Sequence, residues 1–215
     1  MFVGKRMSKP AITLPPEMPI VDAINLMKRE HIRRAPVVKD GKLVGIVSDK
    51  DLLNASPSPA TSLSVWELNY LLSKITVREV MSKKVVSVSE DTPIEEAARI
   101  MADNKIGGLP VMYGDQVVGM ITETDLFKIF LELMGAREKG VRVTAVIREE
   151  RGQLARLTQA IAKQGGNFVA FGQFTGTTPA SRLITFKVAD LTEQQVRETT
   201  EPLVQELVDI RTLID

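Results

Sequence analysis

The chain has 215 residues, 44% hydrophobic and 26% charged, with a formal net charge of +1. That length exceeds a usual single domain, the balance is that of an ordinary globular protein, and so neutral a charge argues against a nucleic-acid partner. Cysteine is absent and histidine occurs once, at His31, which removes disulfides, thiol nucleophiles, thiolate metal sites and paired-histidine metal centres.

The opening Met1-Phe2-Val3-Gly4-Lys5-Arg6 lacks the apolar core of a signal peptide, and no run approaches bilayer length. The expectation is a cytoplasmic protein with no membrane partner. Met7-Ser8-Lys9 returns as Met81-Ser82-Lys83, 74 residues later, and the register then holds without a gap. Pro19 meets Pro93, Met27 meets Met101, Pro36-Val37 meets Pro110-Val111, and Asp51-Leu52 meets Asp125-Leu126. Residues 7–53 and 81–127 are therefore duplicated units.

Each unit reads as strand, helix, hairpin, helix. Ala11-Ile12-Thr13-Leu14 and Val85-Val86-Ser87-Val88 are expected strands. Pro19 and Pro93 suit helix starts, and Ile20, Ala23, Ile24 and Met27 recur at helical spacing, as do Ile94, Ala97, Ala98 and Met101. Pro36 and Pro110 are expected to open strands, Asp40-Gly41 and Gly114-Asp115 to turn hairpins, and Ser48 and Thr122 to start short helices. Between the copies, Asn54 to Ser62 reads as a Pro/Ser loop and Val65 to Leu72 as an amphipathic helix holding Trp66. Leu126 to Met134 continues as a helix stopped by Gly135.

The tail has a different pattern: strand 141–147, helix 152–163, strand 167–174, strand 182–188, a helix from 192 to about 208 that Pro202 should kink or split, and strand 209–214. This is a split βαβ-βαβ order, a small sheet with both helices on one face. The expected boundaries are unit one at 1–60, an inter-repeat helix and linker at 61–78, unit two at 79–135, a linker at 136–140 and the tail domain at 141–215.

Chemistry concentrates in Gly45-Ile46-Val47-Ser48-Asp49-Lys50-Asp51 and its repeat Gly119-Met120-Ile121-Thr122-Glu123-Thr124-Asp125. A hydroxyl at a helix mouth suits a phosphate, and a carboxylate one turn in suits a pair of sugar hydroxyls. The same Ser-x-x-Asp and Thr-x-x-Asp patterns are also helix capping boxes, which need no ligand. The copies differ at Arg33-Arg34 against Gly107-Gly108, so positive charge gathers on one side, where a polyphosphate could bind or the arginines could simply favour a helix end.

The paired units resemble the cystathionine-β-synthase (CBS) domain, whose tandem pairs form the regulatory Bateman module. The likeness is carried by His31-Ile32-Arg33-Arg34-Ala35-Pro36-Val37-Val38, by Ile106-Gly107-Gly108-Leu109-Pro110-Val111 and by the two Gly-x-x-[Ser/Thr]-x-x-Asp endings. It implies an α/β tandem pair that binds an adenine nucleotide or adenosyl compound as a regulatory ligand, with no obligatory cofactor. On that resemblance Asp51 and Asp125 hold ribose hydroxyls, Ser48 and Thr122 approach ribose or phosphate, and main-chain groups around Arg34, Ala35 and Pro36 and around Gly108, Leu109 and Pro110 contact the base; Thr13 and Ser87 are further candidates. The tail, through residues 150–155 and 164–169, resembles an ACT domain, a ferredoxin-like βαββαβ fold. That implies side-by-side pairing, hence a homodimer or larger homo-oligomer, with Gly152, Gln153 and Asn167 as ligand or interface residues. The order of the parts resembles the acetoin-utilisation protein B type.

Catalysis finds little support. No motif sets a carboxylate or nucleophile beside His31, and Glu95-Glu96 and Glu149-Glu150 are adjacent residues that would point apart on a helix. Three readings compete: a ligand sensor, a ligand-free assembly module, and an enzyme or nucleic-acid binder, the last disfavoured by composition.

Overall fold

The computed structural model describes residues 1–55, 70, 73–176 and 178–213. The expected inter-repeat loop and Trp66 helix lie almost wholly outside the described residues. The chain divides into two compact units, Met1–Leu126 and Phe127–Asp215.

In the first unit each copy begins with a helix capped by proline backbone, α1 (Ile20–Arg29) after Pro19 and later α4 (Ile94–Asn104) after Pro93. Proline costs nothing there because its missing N–H would have no intrahelical partner. Ile20, Ala23 and Met27, and in the repeat Ile94, Ala97 and Met101, are the buried face, the i, i+3, i+7 stripe that a 3.6-residue period dictates. Hairpins follow: β1 (Arg34–Lys39) with β2 (Lys42–Ser48), and β4 (Gly108–Tyr113) with β5 (Gln116–Thr122). Asp40 and Gly41 both take positive φ, at 50° and 77°, as a two-residue primed turn requires, while Gly114 supplies φ 57° in the repeat. Both hairpins carry a register shift at the same place, Val37/Val38 and Val111/Met112. Helices α2 (Asp49–Asn54) and α5 (Glu123–Leu133) then start at the two Ser/Thr-x-x-Asp sequences.

Three local expectations need correction. Pro36 and Pro110 do not open their strands; they sit two residues inside them. Residues 11–14 form no strand beyond a single bridge from Leu14 to Val37, and the repeat keeps only the two-residue β3 (Val88–Ser89). Pro10, Pro15 and Pro16 leave the first segment few donors with which to extend a ladder. A further turn absent from the sequence reading, α3 (Val77–Val80), is closed by a capping box between Thr76 and Glu79.

That turn exposes an exchange of segments. Val77 N–H donates to Met18 and Ile20 N–H to Ile75, while Ser82 and Ile46 exchange both backbone bonds, so residues 75–82 lie on the first copy. Shifted by the 74-residue repeat, the same bonds run from Val3 to Thr92, from Ile94 to Met1 and between Ser8 and Met120, so residues 1–8 lie on the second copy. Val77 belongs to the apolar cluster of Leu14, Ile20, Ala23, Met27, Val37 and Leu52. The close approach requires Gly45 and Gly119: a Cβ there would meet the Met81 and Met7 sulfurs at 2.4 and 2.5 Å.

The second unit has β6 (Gly140–Arg148), α6 (Gln153–Lys163), β7 (Asn167–Thr175), β8 (Ser181–Ala189), α7 (Glu193–Thr200) and β9 (Glu206–Leu213). The sheet order is β7-β8-β6-β9, all neighbours antiparallel. Alternate residues Val141, Val143, Ala145 and Ile147 of β6 face Leu157, Ile161, Phe186 and Val196 in one core. The last helix does not run to 208. It ends at Thr200, and Pro202 falls in a single 3₁₀ turn, Glu201–Leu203, because proline can enter a first turn but not continue one.

Candidate functional site

Ser48 closes β2 and caps α2. Its hydroxyl accepts from Asp51 N–H at 3.2 Å, while Asp51 Oδ2 accepts from Ser48 N–H at 2.9 Å and from Ser48 Oγ at 2.6 Å. Thr122 and the buried Asp125 repeat this, with Oδ2 accepting from Thr122 N–H at 3.0 Å and from Oγ1 at 2.7 Å. Both patterns are therefore capping boxes. In the first copy both bonds that Asp51's carboxylate accepts fall on Oδ2, and Oδ1 carries neither.

Around Ser48 and Asp51 lies a cavity of about 260 Å³, bordered also by Arg34, Ile46, Val47, Ser82, Lys84, Val85, Val86, Ile106 and Gly108. It is built from both copies and from the segment leading into the second. Strand pairing places Arg34 opposite Ser48, and the bridge between Ile46 and Ser82 brings residues 82–86 alongside. The wall is apolar through Ile46, Val85, Val86 and Ile106, and the polar groups converge from Arg34, Ser48, Asp51, Ser82 and Lys84, the composition of a small-molecule pocket.

Of the expected residues, the cavity gathers Arg34, Ser48, Asp51 and Gly108. Ala35, Pro36, Leu109 and Pro110 are buried strand residues whose side chains belong to the interior, and the Pro36 carbonyl already accepts from Leu14 N–H. Arg33, Thr13 and Ser87 are exposed and do not border the cavity: Arg33 is one residue out of phase with Arg34, and Thr13 precedes the buried Leu14. Gly107 and Gly108 lie beneath Arg34, since a Cβ on them would stand 3.0 and 3.2 Å from Arg34 Nη1. The Arg/Gly difference between copies is thus complementary: one long side chain occupies the space two glycines vacate. The sequence reading missed Ser82 and Lys84. Their only signal is that Lys83-Lys84 stands where the first copy has Lys9-Pro10.

His31 is exposed and left-handed at φ 52°, just beyond α1, as Lys105 is beyond α4 at φ 55°. Glu149 and Glu150 lie between β6 and α6, not on a helix, and pair with Arg182 and with Arg148 and Arg156. No group of three or more metal-ligating side chains occurs among the described residues, and no described helix is long and apolar enough to cross a membrane.

In the tail, Gly152 caps α6 at φ 80° with open space beside it. Gln153 is buried and consumed internally: its Nε2 donates to the Leu203 carbonyl and its Oε1 accepts from Arg156 at 2.6 Å. It ties the helix start to the 3₁₀ turn. Asn167 borders a shallow depression with Thr158, Gln159, Ala162 and Phe168. Gly152 and Asn167 flank the 11-residue α6, about 16 Å apart along its axis, so one chain does not join them in a single site.

A family model described as the CBS domain matches residues 3–58 and 77–132. A CBS domain-containing protein of Dictyostelium discoideum is 30% identical over 136 residues, 62% of this chain and 94% of that one. Among solved structures, a putative acetoin utilization protein from Vibrio cholerae is similar with a TM-score of 0.53 and 34% identity, covering 64% of this chain and 96% of that chain. The CBS domain pair of protein MJ0100, in complex with 5′-methylthioadenosine and S-adenosyl-L-methionine, gives a TM-score of 0.52 and 28% identity, covering 64% and 98%.

Proposed function

The chain belongs to the CBS domain family, and on that premise we propose that its paired units are a regulatory sensor for an adenine nucleotide or adenosyl compound bound in the cleft of Ser48 and Asp51. The observation that carries this is the division of labour on Asp51, a residue of the cavity wall whose Oδ2 completes the helix cap while Oδ1 takes no part in it. A cap and a sugar grip are therefore compatible in one carboxylate. Thr122 and Asp125 hold the repeat-equivalent cap. The adenosyl ligands of the related MJ0100 pair support the choice of ligand class.

The tail acts in this reading as an ACT-like domain that pairs two or more copies of the chain, an inference supported by its βαββαβ order and antiparallel sheet. Gly152 and Asn167 are then interface positions, and the whole is of the acetoin-utilisation protein B type and not an enzyme. Ligand binding shifts the assembly only by as much as its affinities for two arrangements differ.

The rival reading, a ligand-free assembly module, draws on the same capping bonds, which satisfy Ser48 and Thr122 with no ligand. Thermal denaturation with AMP, ADP, ATP and S-adenosylmethionine separates the two. A ligand of the folded state at about 100 times its Kd adds about 2.7 kcal/mol, and Asp51→Ala should abolish that gain; no shift with any of the four supports the assembly module.

A further inference from the structure

The cleft of Ser48 and Asp51 and the repeat-equivalent positions around Asp125 are not chemically alike. The first is bordered by two cations, Arg34 and Lys84, and one carboxylate, Asp51. At the repeat-equivalent positions the second has Gly108, Pro10 and Asp125, so the carboxylate is kept and both cations are lost. Arg34 leans over Gly107 and Gly108 and so stands between the copies, which leaves Lys84 as the group belonging to the first cleft alone. Neither cation forms an ion pair within 4.0 Å among the described residues, and Arg34 Nη1 shares the space over Gly107 with Glu123 Oε2, the two lying 3.0 and 2.8 Å from the same Cβ position, so Lys84 is the cation with no carboxylate shown beside it. Unpaired cations converging on an apolar cavity with a hydroxyl and a carboxylate are arranged for an anion carried on an apolar, hydroxylated body.

Resting on the sensor reading, we propose that the cleft of Ser48 and Asp51 selects phosphate-bearing adenosine ligands over neutral or sulfonium-bearing ones, with Lys84 as the specificity-determining residue and Arg34 assisting. A phosphate meets two positive charges. A sulfonium meets the same two charges as repulsion, and a neutral nucleoside gains nothing from them. Arg33, which does not border the cavity, has no part in the selection.

Isothermal titration of the full chain with adenosine, ADP and S-adenosylmethionine tests this on the native protein and on Lys84→Ala, Lys84→Glu and Lys84→Arg. Lys84 is exposed, so these variants should fold. ADP should bind roughly 10- to 100-fold more tightly than adenosine, the range of a charge-assisted contact. Lys84→Ala should remove much of that advantage, Lys84→Arg should keep it, and Lys84→Glu should bring S-adenosylmethionine level with ADP or ahead of it. Equal binding of ADP and adenosine by the native chain, or an ADP affinity indifferent to Lys84→Ala, overturns the selection while the adenosyl sensor stands. Binding of none of the three overturns the sensor reading itself.

Discussion

Asp51 serves two purposes in this account, and substitution can separate them. Ser48→Ala deletes the hydroxyl that Asp51 N–H donates to and that itself donates to Oδ2; loss of such a cap costs about 1 kcal/mol, or about 2–4 °C in Tm for a chain of this size. Asp51→Asn keeps an amide oxygen for Ser48 N–H and loses only the negative charge at the start of α2, worth about 0.3–1 kcal/mol. For a ligand the ranking reverses. An amide cannot offer two acceptor oxygens to a pair of sugar hydroxyls, and losing a charged hydrogen bond costs about 1.5–3 kcal/mol, a 10- to 150-fold loss of affinity. At a fixed ADP concentration near 100 times the native Kd, the stabilisation should fall from about 2.7 to about 0.4 kcal/mol if affinity drops a hundredfold. Urea titration without ligand and thermal denaturation with ADP read the two effects. An Asp51→Asn protein as destabilised as Ser48→Ala, with its ADP shift intact, would refute the double role.

The exchanged segments predict that Gly119→Ala is costly: its Cβ would meet the Met7 sulfur at 2.5 Å and the Ser8 carbonyl oxygen at 2.9 Å, and overpacking of this kind costs about 1–3 kcal/mol, measurable by urea unfolding. Gly114→Ala, with nothing within 4 Å, should cost less, its penalty being that of positive φ alone. In the tail, buried Lys187 donates to the Gly135 and Glu138 carbonyls at 2.6 and 2.7 Å; Lys187→Met leaves two acceptors without it and should destabilise the tail by about 2–4 kcal/mol, seen as a lower urea midpoint, whereas an unchanged midpoint rules the clamp out. Arg78 holds the Glu17 carboxyl below the usual glutamate range, and the Thr76 backbone N–H and hydroxyl do the same for Glu79. Depressed carboxyls stabilise above their unfolded pKa of about 4.3 and lose that contribution as pH falls through the lower folded value. Glu17→Gln should therefore lower Tm slightly at neutral pH and leave it nearly unchanged below about pH 4, which flattens the fall between the two.

Much of the first unit was legible because its signals are local. The primed turn at Asp40-Gly41 and the Ser48 and Thr122 caps act over four residues or fewer, and the 74-residue register carries each reading from one copy to the other. The exchange of residues 1–8 and 75–82 was not, since backbone bonds from Val3 to Thr92 or Val77 to Met18 leave no periodicity in the sequence. That same exchange delivers Ser82 and Lys84 to the cavity, which is why a reading confined to each repeat missed them; Thr13, Ser87 and Arg33, drawn from within the repeats, do not border it. In the tail the order of elements was legible, while the last helix, expected to reach about residue 208 with a kink or split at Pro202, ends at Thr200 before the 3₁₀ turn that holds Pro202.

The most direct measurement is a crystal structure of the full chain grown with millimolar ADP. Density for an adenosine in the cavity, its ribose hydroxyls within hydrogen-bonding distance of Asp51 Oδ1 and its phosphates toward Lys84, is the result expected. A cavity with no nucleotide at that concentration, and Asp51 engaged by Ser48 alone, would contradict the account.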